Sequence, residues 1–104
     1  LINFTGNVIN TGEVQLHWIT AAEFNTKEFD VEWSNDGQQF NKLTSIPAAG
    51  NSSQNTNYNY IHKMPGDGMN YYRLKIIDND GRNTYSPLIK IAFVLIHVLL
   101  LFKS

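Results

Sequence analysis

A chain of 104 residues with eight basic and nine acidic side chains and no cysteine has room for one domain and excludes disulfides and thiolate metal sites. Neither sign of charge forms a run longer than two, so the basic stripe that nucleic-acid binding needs is missing. Modest charge with abundant Asn, Ser and Thr points to an extracellular or cell-surface β protein, and at this size folding buries about 60% of the unfolded surface, enough for one core.

The chain starts at Leu1 without an initiator Met or a basic n-region; it reads as a piece of a longer protein, and any signal peptide would sit upstream of it. Period-2 alternation then recurs at short intervals. Residues 1–5 read as a first strand ended by Gly6-Asn7. Val14, Leu16 and Trp18 share one face, with Gln15 and His17 on the other. After a loop over 21–26, Phe29, Val31 and Trp33 alternate with Asp30, Glu32 and Ser34. Asn35-Asp36-Gly37 is a hairpin signal, because Asp-Gly accepts the positive φ of a tight turn. Residues 40–46 return as a strand stopped by Pro47, and the polar stretch 48–57 crosses between sheets. A short strand follows over 58–62. Pro65-Gly66-Asp67-Gly68 turns the chain into the best strand, 70–77, with Tyr72, Leu74 and Ile76 inward. Asp78-Asn79-Asp80-Gly81 makes another hairpin, and 84–91 is the last strand, with Pro87 at an edge or bulge. About seven short strands separated by turns predict an immunoglobulin-like antiparallel β-sandwich. Its expected core is Val14, Leu16, Trp18, Phe29, Val31, Phe40, Tyr72, Leu74 and Ile76.

Certain residues carry a more specific resemblance. Val14, Leu16, Trp18, Thr20-Ala21, Glu23 and Asn25 are followed by Phe29, Val31-Glu32, Ser34, Asp36-Gly37 and Phe40. Then come Gly50-Asn51-Ser52, Tyr72-Arg73-Leu74-Lys75, Asp78, Asp80-Gly81 and Tyr85-Ser86-Pro87. Over residues 8–91 this series resembles a fibronectin type III-like module of the kind found in exported multidomain proteins of Bacteroidetes. That resemblance implies a non-catalytic spacer or binding platform, often placed before a C-terminal sorting domain of type IX secretion. Its partners would be the neighbouring domains of the parent chain. Two features depart from the pattern. Trp33 stands where such modules carry arginine, which either enlarges the core edge or exposes an aromatic ring. After Lys90 the chain becomes an apolar run ending at Ser104 instead of a polar linker, which sets the export route apart. The expected division is a sandwich over 1–91 and an apolar tail over 92–104.

Three readings of the tail compete: a last strand that overruns the sandwich, an aberrant end replacing a linker, and a membrane anchor. At about a dozen residues, interrupted by His97, the run is shorter than the ~20 that span a bilayer.

The chemistry-bearing residues point to no catalysis, cofactor or metal. Aligning Gly81 to the glycine of an EF-hand loop puts Ile76 first and Pro87 last, so both anchoring ligands are missing and a hairpin turn fits better. Asp30 and Glu32 share a strand face, with Glu28 and Glu23 nearby, but glycoside hydrolysis needs two carboxylates flanking a cleft. Alternating acids on an outward face are ordinary solvation. His17, His62 and His97 lack ligand spacing, and no serine sits in a nucleophile elbow. Arg73 and Lys75 face outward, where they pair with acids such as Asp30 or Glu32. The alternative role is carbohydrate or protein binding through Tyr58, Tyr60 and Tyr71 with Asn51 and Asn55 of the 50–57 loop. Against it stands the reading in which these tyrosines cover sheet edges and hold their hydroxyls in water.

Overall fold

In a computed structural model, which describes residues 1–10, 12–49 and 53–93, the chain is all-β. Among the described residues eight strands follow in order: β1 (Asn3–Ile9), β2 (Glu13–Thr20), β3 (Thr26–Ser34), β4 (Asn41–Pro47), β5 (Thr56–His62), β6 (Gly68–Asp78), β7 (Asn83–Tyr85) and β8 (Ile89–Phe93). They form two antiparallel sheets in a sandwich-like arrangement. One has the order β1-β2-β5; the other runs β4-β3-β6, with β7 and β8 both paired to β6.

The alternation seen in the sequence becomes the core. Val14, Leu16 and Trp18 are fully buried on β2, opposite Phe29 and Val31 of β3 and Tyr72 and Leu74 of β6; Phe4 of β1 completes the cluster. The Trp18 indole organises it. Its ring stacks on Tyr58 at 5.5 Å and meets Phe29 at 5.8 Å and Phe4 at 6.3 Å edge-on, in the offset and edge geometries aromatic rings favour.

Several elements differ from expectation. The first strand does not stop at Gly6: β1 continues to Ile9, with Gly6 opposite Leu16. A methyl group on Gly6 would come 3.0 Å from Leu16 Cδ2 and 3.1 Å from Ile89 Cδ1, so the glycine permits close approach of β8 and marks no turn. Phe40 is not in the core. It precedes β4, half-buried, with the Arg73 guanidinium 4.0 Å above its ring. Trp33 takes one of its two expected placements, packed at the core's margin where the β3–β4 register slips between Val31 and Glu32. The last strand is broken at Pro87, which has no N–H to give to a ladder. Ser86 bridges the break: its N–H donates to Leu74 O (2.9 Å), while its hydroxyl accepts from Leu74 N–H (2.8 Å). Ile76 is partly buried against the core. β8 extends past residue 91 to Phe93; the tail from 94 onward lies outside the described residues.

The two ends of the sandwich carry different connections. At the proximal end β1 begins beside Ile19, near the β2–β3 and β4–β5 loops and the β6–β7 turn, whose Asn79 N–H donates to Asn25 O. At the distal end lie the β1–β2 turn and the β3–β4 and β5–β6 loops. β8 runs alongside β1 in the same direction: Ile89 and Ile91 flank Gly6, and the Phe93 ring reaches Gly12. The first strand therefore enters at one end and the last leaves at the other.

Candidate functional site

At the proximal end the polar groups converge on Glu23, a buried carboxylate in the loop after β2. Thr20 donates its hydroxyl to Glu23 Oε2. Tyr58 donates to the same oxygen at 2.7 Å, and its own oxygen accepts from Ala49 N–H at 2.9 Å. This chain ties β5 to the β2–β3 and β4–β5 loops. Among the described residues Glu23 Oε1 and Trp18 Nε1 have no hydrogen-bond partner. Burial pushes the Tyr58 phenol above its usual range, and the bond to Glu23 adds to the rise.

At the distal end a second network is complete. Asn70, fully buried, accepts at Oδ1 from Trp33 Nε1 (2.7 Å) and Gly66 N–H (2.9 Å). Its amide donates to Gly66 O (2.8 Å) and Gly68 O (3.3 Å). One side chain thus pins the whole β5–β6 turn to β3. Gly66 lies close under the Asn35 side chain: a Cβ there would fall 2.3 Å from Asn35 Nδ2 and displace that exposed amide. Beside it the His62 Nδ1 and Tyr72 hydroxyl are hydrogen-bonded at 2.7 Å, and Trp33 meets the imidazole edge-on at 5.1 Å. Burial lowers the pKa of His62 and raises that of Tyr72 far above the phenol range, so both stay uncharged near neutrality. In the β3–β4 loop the Asp36 carboxylate accepts from Gln39 and Gln38 N–H and from the Ser34 hydroxyl. Those donors, led by Gln39, hold its pKa below the usual range.

The outer faces of the two sheets differ in chemistry. On the five-stranded sheet Arg73 lies between the rings of Phe40 (4.0 Å) and Tyr85 (4.1 Å) and donates from Nε to Glu32 at 2.7 Å. Asp30, expected to be solvated, is covered and accepts from the Ser45 hydroxyl at 2.7 Å. Across the three-stranded sheet the row Thr5–His17–Asn59 presents hydroxyl, imidazole and amide, and His17 Nε2 lies 3.1 Å from Asn57 Oδ1.

The residues considered for ligand binding do not converge. Tyr58 and Tyr60 lie on the inward face of β5, opposite Trp18 and Leu16 in register, and both are half-buried. Tyr71 sits on β6 in the other sheet, on the face opposite the buried Tyr72, with Lys90 Nζ 6.0 Å from its ring. Asn55 is exposed in the β4–β5 loop, and Asn51 lies outside the described residues. The acids Asp30 and Glu32 are engaged within the sheet, by the Ser45 hydroxyl and the Arg73 guanidinium respectively. An apolar cleft of about 220 Å³ lies elsewhere, at the proximal end, lined by Leu1, Ile2, Asn3, Phe4, Pro87 and Ile89; it falls below the ~300–1,000 Å³ of ordinary ligand pockets. Among the described residues no group of three His, Asp or Glu side chains is placed to hold a metal.

In the sequence His62 is weighed only as a metal ligand and Glu23 only as a neighbouring acid, and Asn70 is given no role, so all three are missed as buried polar anchors. Asn70 and His62 fall on the inward phase of β6 and β5, so alternation marks them as buried polar groups needing partners. Glu23 lies in a loop, where no period announces burial. No protein-family model matches this chain, and no curated protein matches it either.

Proposed function

We propose that the chain is a non-catalytic fibronectin type III-like module, a spacer that holds neighbouring domains of an exported or cell-surface protein apart. The observation that carries the reading is the placement of β1 and β8: side by side, in the same direction, entering at one end and leaving at the other. Tension applied through those ends loads the β1–β2 and β6–β8 ladders along their length, so many hydrogen bonds resist together. The strand order β1-β2-β5 against β4-β3-β6 with β7 and β8 supports the sandwich family named by the resemblance. The polar side chains that are most connected serve the fold itself: Tyr58 and Glu23 close the proximal loops, and Asn70 closes the distal turn.

Single-molecule pulling tests this directly, with cysteines added to a chain that has none. Handles at Asn3→Cys and Ala92→Cys shear the module, whereas handles at Asn3→Cys and Ala22→Cys unzip β1 from β2. The spacer reading expects a clearly higher unfolding force in the first geometry. Equal forces would overturn it, and a specific glycan or protein ligand lost on Tyr58→Ala/Tyr60→Ala replacement would favour the binding role instead.

A further inference from the structure

The sheets have unequal edges. β4 closes one side of the five-stranded sheet and carries Lys42, Pro47 and a register slip against β3, the devices by which natural edges discourage pairing. On its other side, β7 and β8 are interrupted at Pro87, and β1 of the smaller sheet is flanked by β8. Among the described residues β5 has none of these protections. Its seven residues, Thr-Asn-Tyr-Asn-Tyr-Ile-His, include no Lys, Arg, Asp, Glu, Gly or Pro. The strand ends the order β1-β2-β5, and among the described residues no backbone hydrogen bond from a loop reaches it. Asn57, Asn59 and Ile61 are exposed along its outer face.

We propose that β5 is a pairing edge for a second copy of this chain, joining two three-stranded sheets into one of six strands about a two-fold axis. The self-complementarity is in the sequence of the strand. Full antiparallel overlap of seven residues requires Asn59 to face Asn59 of the partner subunit, which sets Asn57 opposite Ile61 and Tyr58 opposite Tyr60. The outward row then meets without like charges. The inward row pairs two aromatic side chains, a combination that stabilises neighbouring strands. An edge this short buries less than the ~1,200 Å² of a stable interface, so the dimer is weak and concentration-dependent. This inference is independent of the spacer reading, which concerns the ends and not the edges.

Sedimentation velocity on the full chain across a concentration series is the test. A reversible monomer–dimer equilibrium is expected. Asn59→Lys places two ammonium groups face to face, and Asn59→Asp two carboxylates; each weakens dimerisation at least tenfold. An equimolar mixture of the two variants restores it, because the opposed charges are then complementary. Thermal melts of each variant establish that the exposed substitution leaves the fold in place, and the mixture reports on pairing even if one variant is somewhat destabilised. A wild-type chain that stays monomeric to millimolar concentration would overturn the proposal. So would association that ignores both substitutions, as expected of contacts made by the apolar tail, or a mixture no tighter than its parts.

Discussion

The two tryptophans occupy opposite kinds of site. Trp18 is fully enclosed between the sheets, touches three other rings, and among the described residues its Nε1–H has no partner. Trp33 sits at the margin, half-exposed, and its Nε1–H is committed to Asn70 at 2.7 Å. A buried indole removes roughly 150–250 Å² from water, which at ~25 cal/mol/Å² is about 4–6 kcal/mol. That exceeds the ~1–3 kcal/mol cost of an unpaired buried donor, so at Trp18 packing prevails over hydrogen bonding. At Trp33 the balance is reversed, and the ring serves to orient a donor that fixes a turn. One region holds the layers together; the other fixes a connection between them.

Substitutions that separate these contributions should differ in size. Trp18→Ala removes the shared contact of Phe4, Phe29 and Tyr58 and is expected to cost about 3–5 kcal/mol, enough to abolish cooperative unfolding in a domain of marginal stability. Denaturant titration checks it; a loss under 1 kcal/mol would contradict the layered core. Asn70→Ala strands Trp33 Nε1–H and Gly66 N–H together, and is expected to cost about 1–3 kcal/mol. Hydrogen exchange in that variant should rise first over 63–68, with the β2 amides still protected. Equal loss in both places would mean that the distal network and the core are one unit.

The smallest expected effect is a pH slope. Burial lowers the folded-state pKa of His62 below its unfolded value near 6.5. The unfolded chain therefore binds more protons as pH falls. The stability associated with the neutral imidazole is fully present above about pH 6.5 and declines as pH drops towards the folded-state pKa. The slope from one such group is at most about 1.4 kcal/mol per pH unit. His62→Gln should flatten this part of the stability–pH curve relative to wild type, and an unchanged curve would place the acid sensitivity elsewhere.

These contrasts also explain how far the sequence could be read. Alternation located Val14, Leu16, Trp18, Phe29, Val31, Tyr72 and Leu74 in the core because each sheet is buried on one face only, and a period of two then maps directly onto burial. Gly6 misled because a glycine that admits a neighbouring strand looks in sequence like one that turns the chain. Phe40 misled because the residues after Gly37 loop before β4 begins, so the phase carried over from β3 no longer applies. Glu23 was opaque for another reason: its burial depends on Thr20, Tyr58 and the loops around it, contacts between positions up to 35 residues apart. The candidate tyrosines illustrate the same limit, since period two separates the faces of a strand but does not tell which sheet a strand will join.

The central claim is that the module spans a distance, with its first strand entering and its last leaving at opposite ends. Spin labels on Asn3→Cys and Ala92→Cys measure that span in one double electron–electron resonance experiment. From Asn3 to the level of Phe93 the strands advance about six residues at ~3.3 Å each, so a single narrow distribution on the order of 20 Å is expected. A separation below about 10 Å, or a broad distribution without a maximum, would contradict the account.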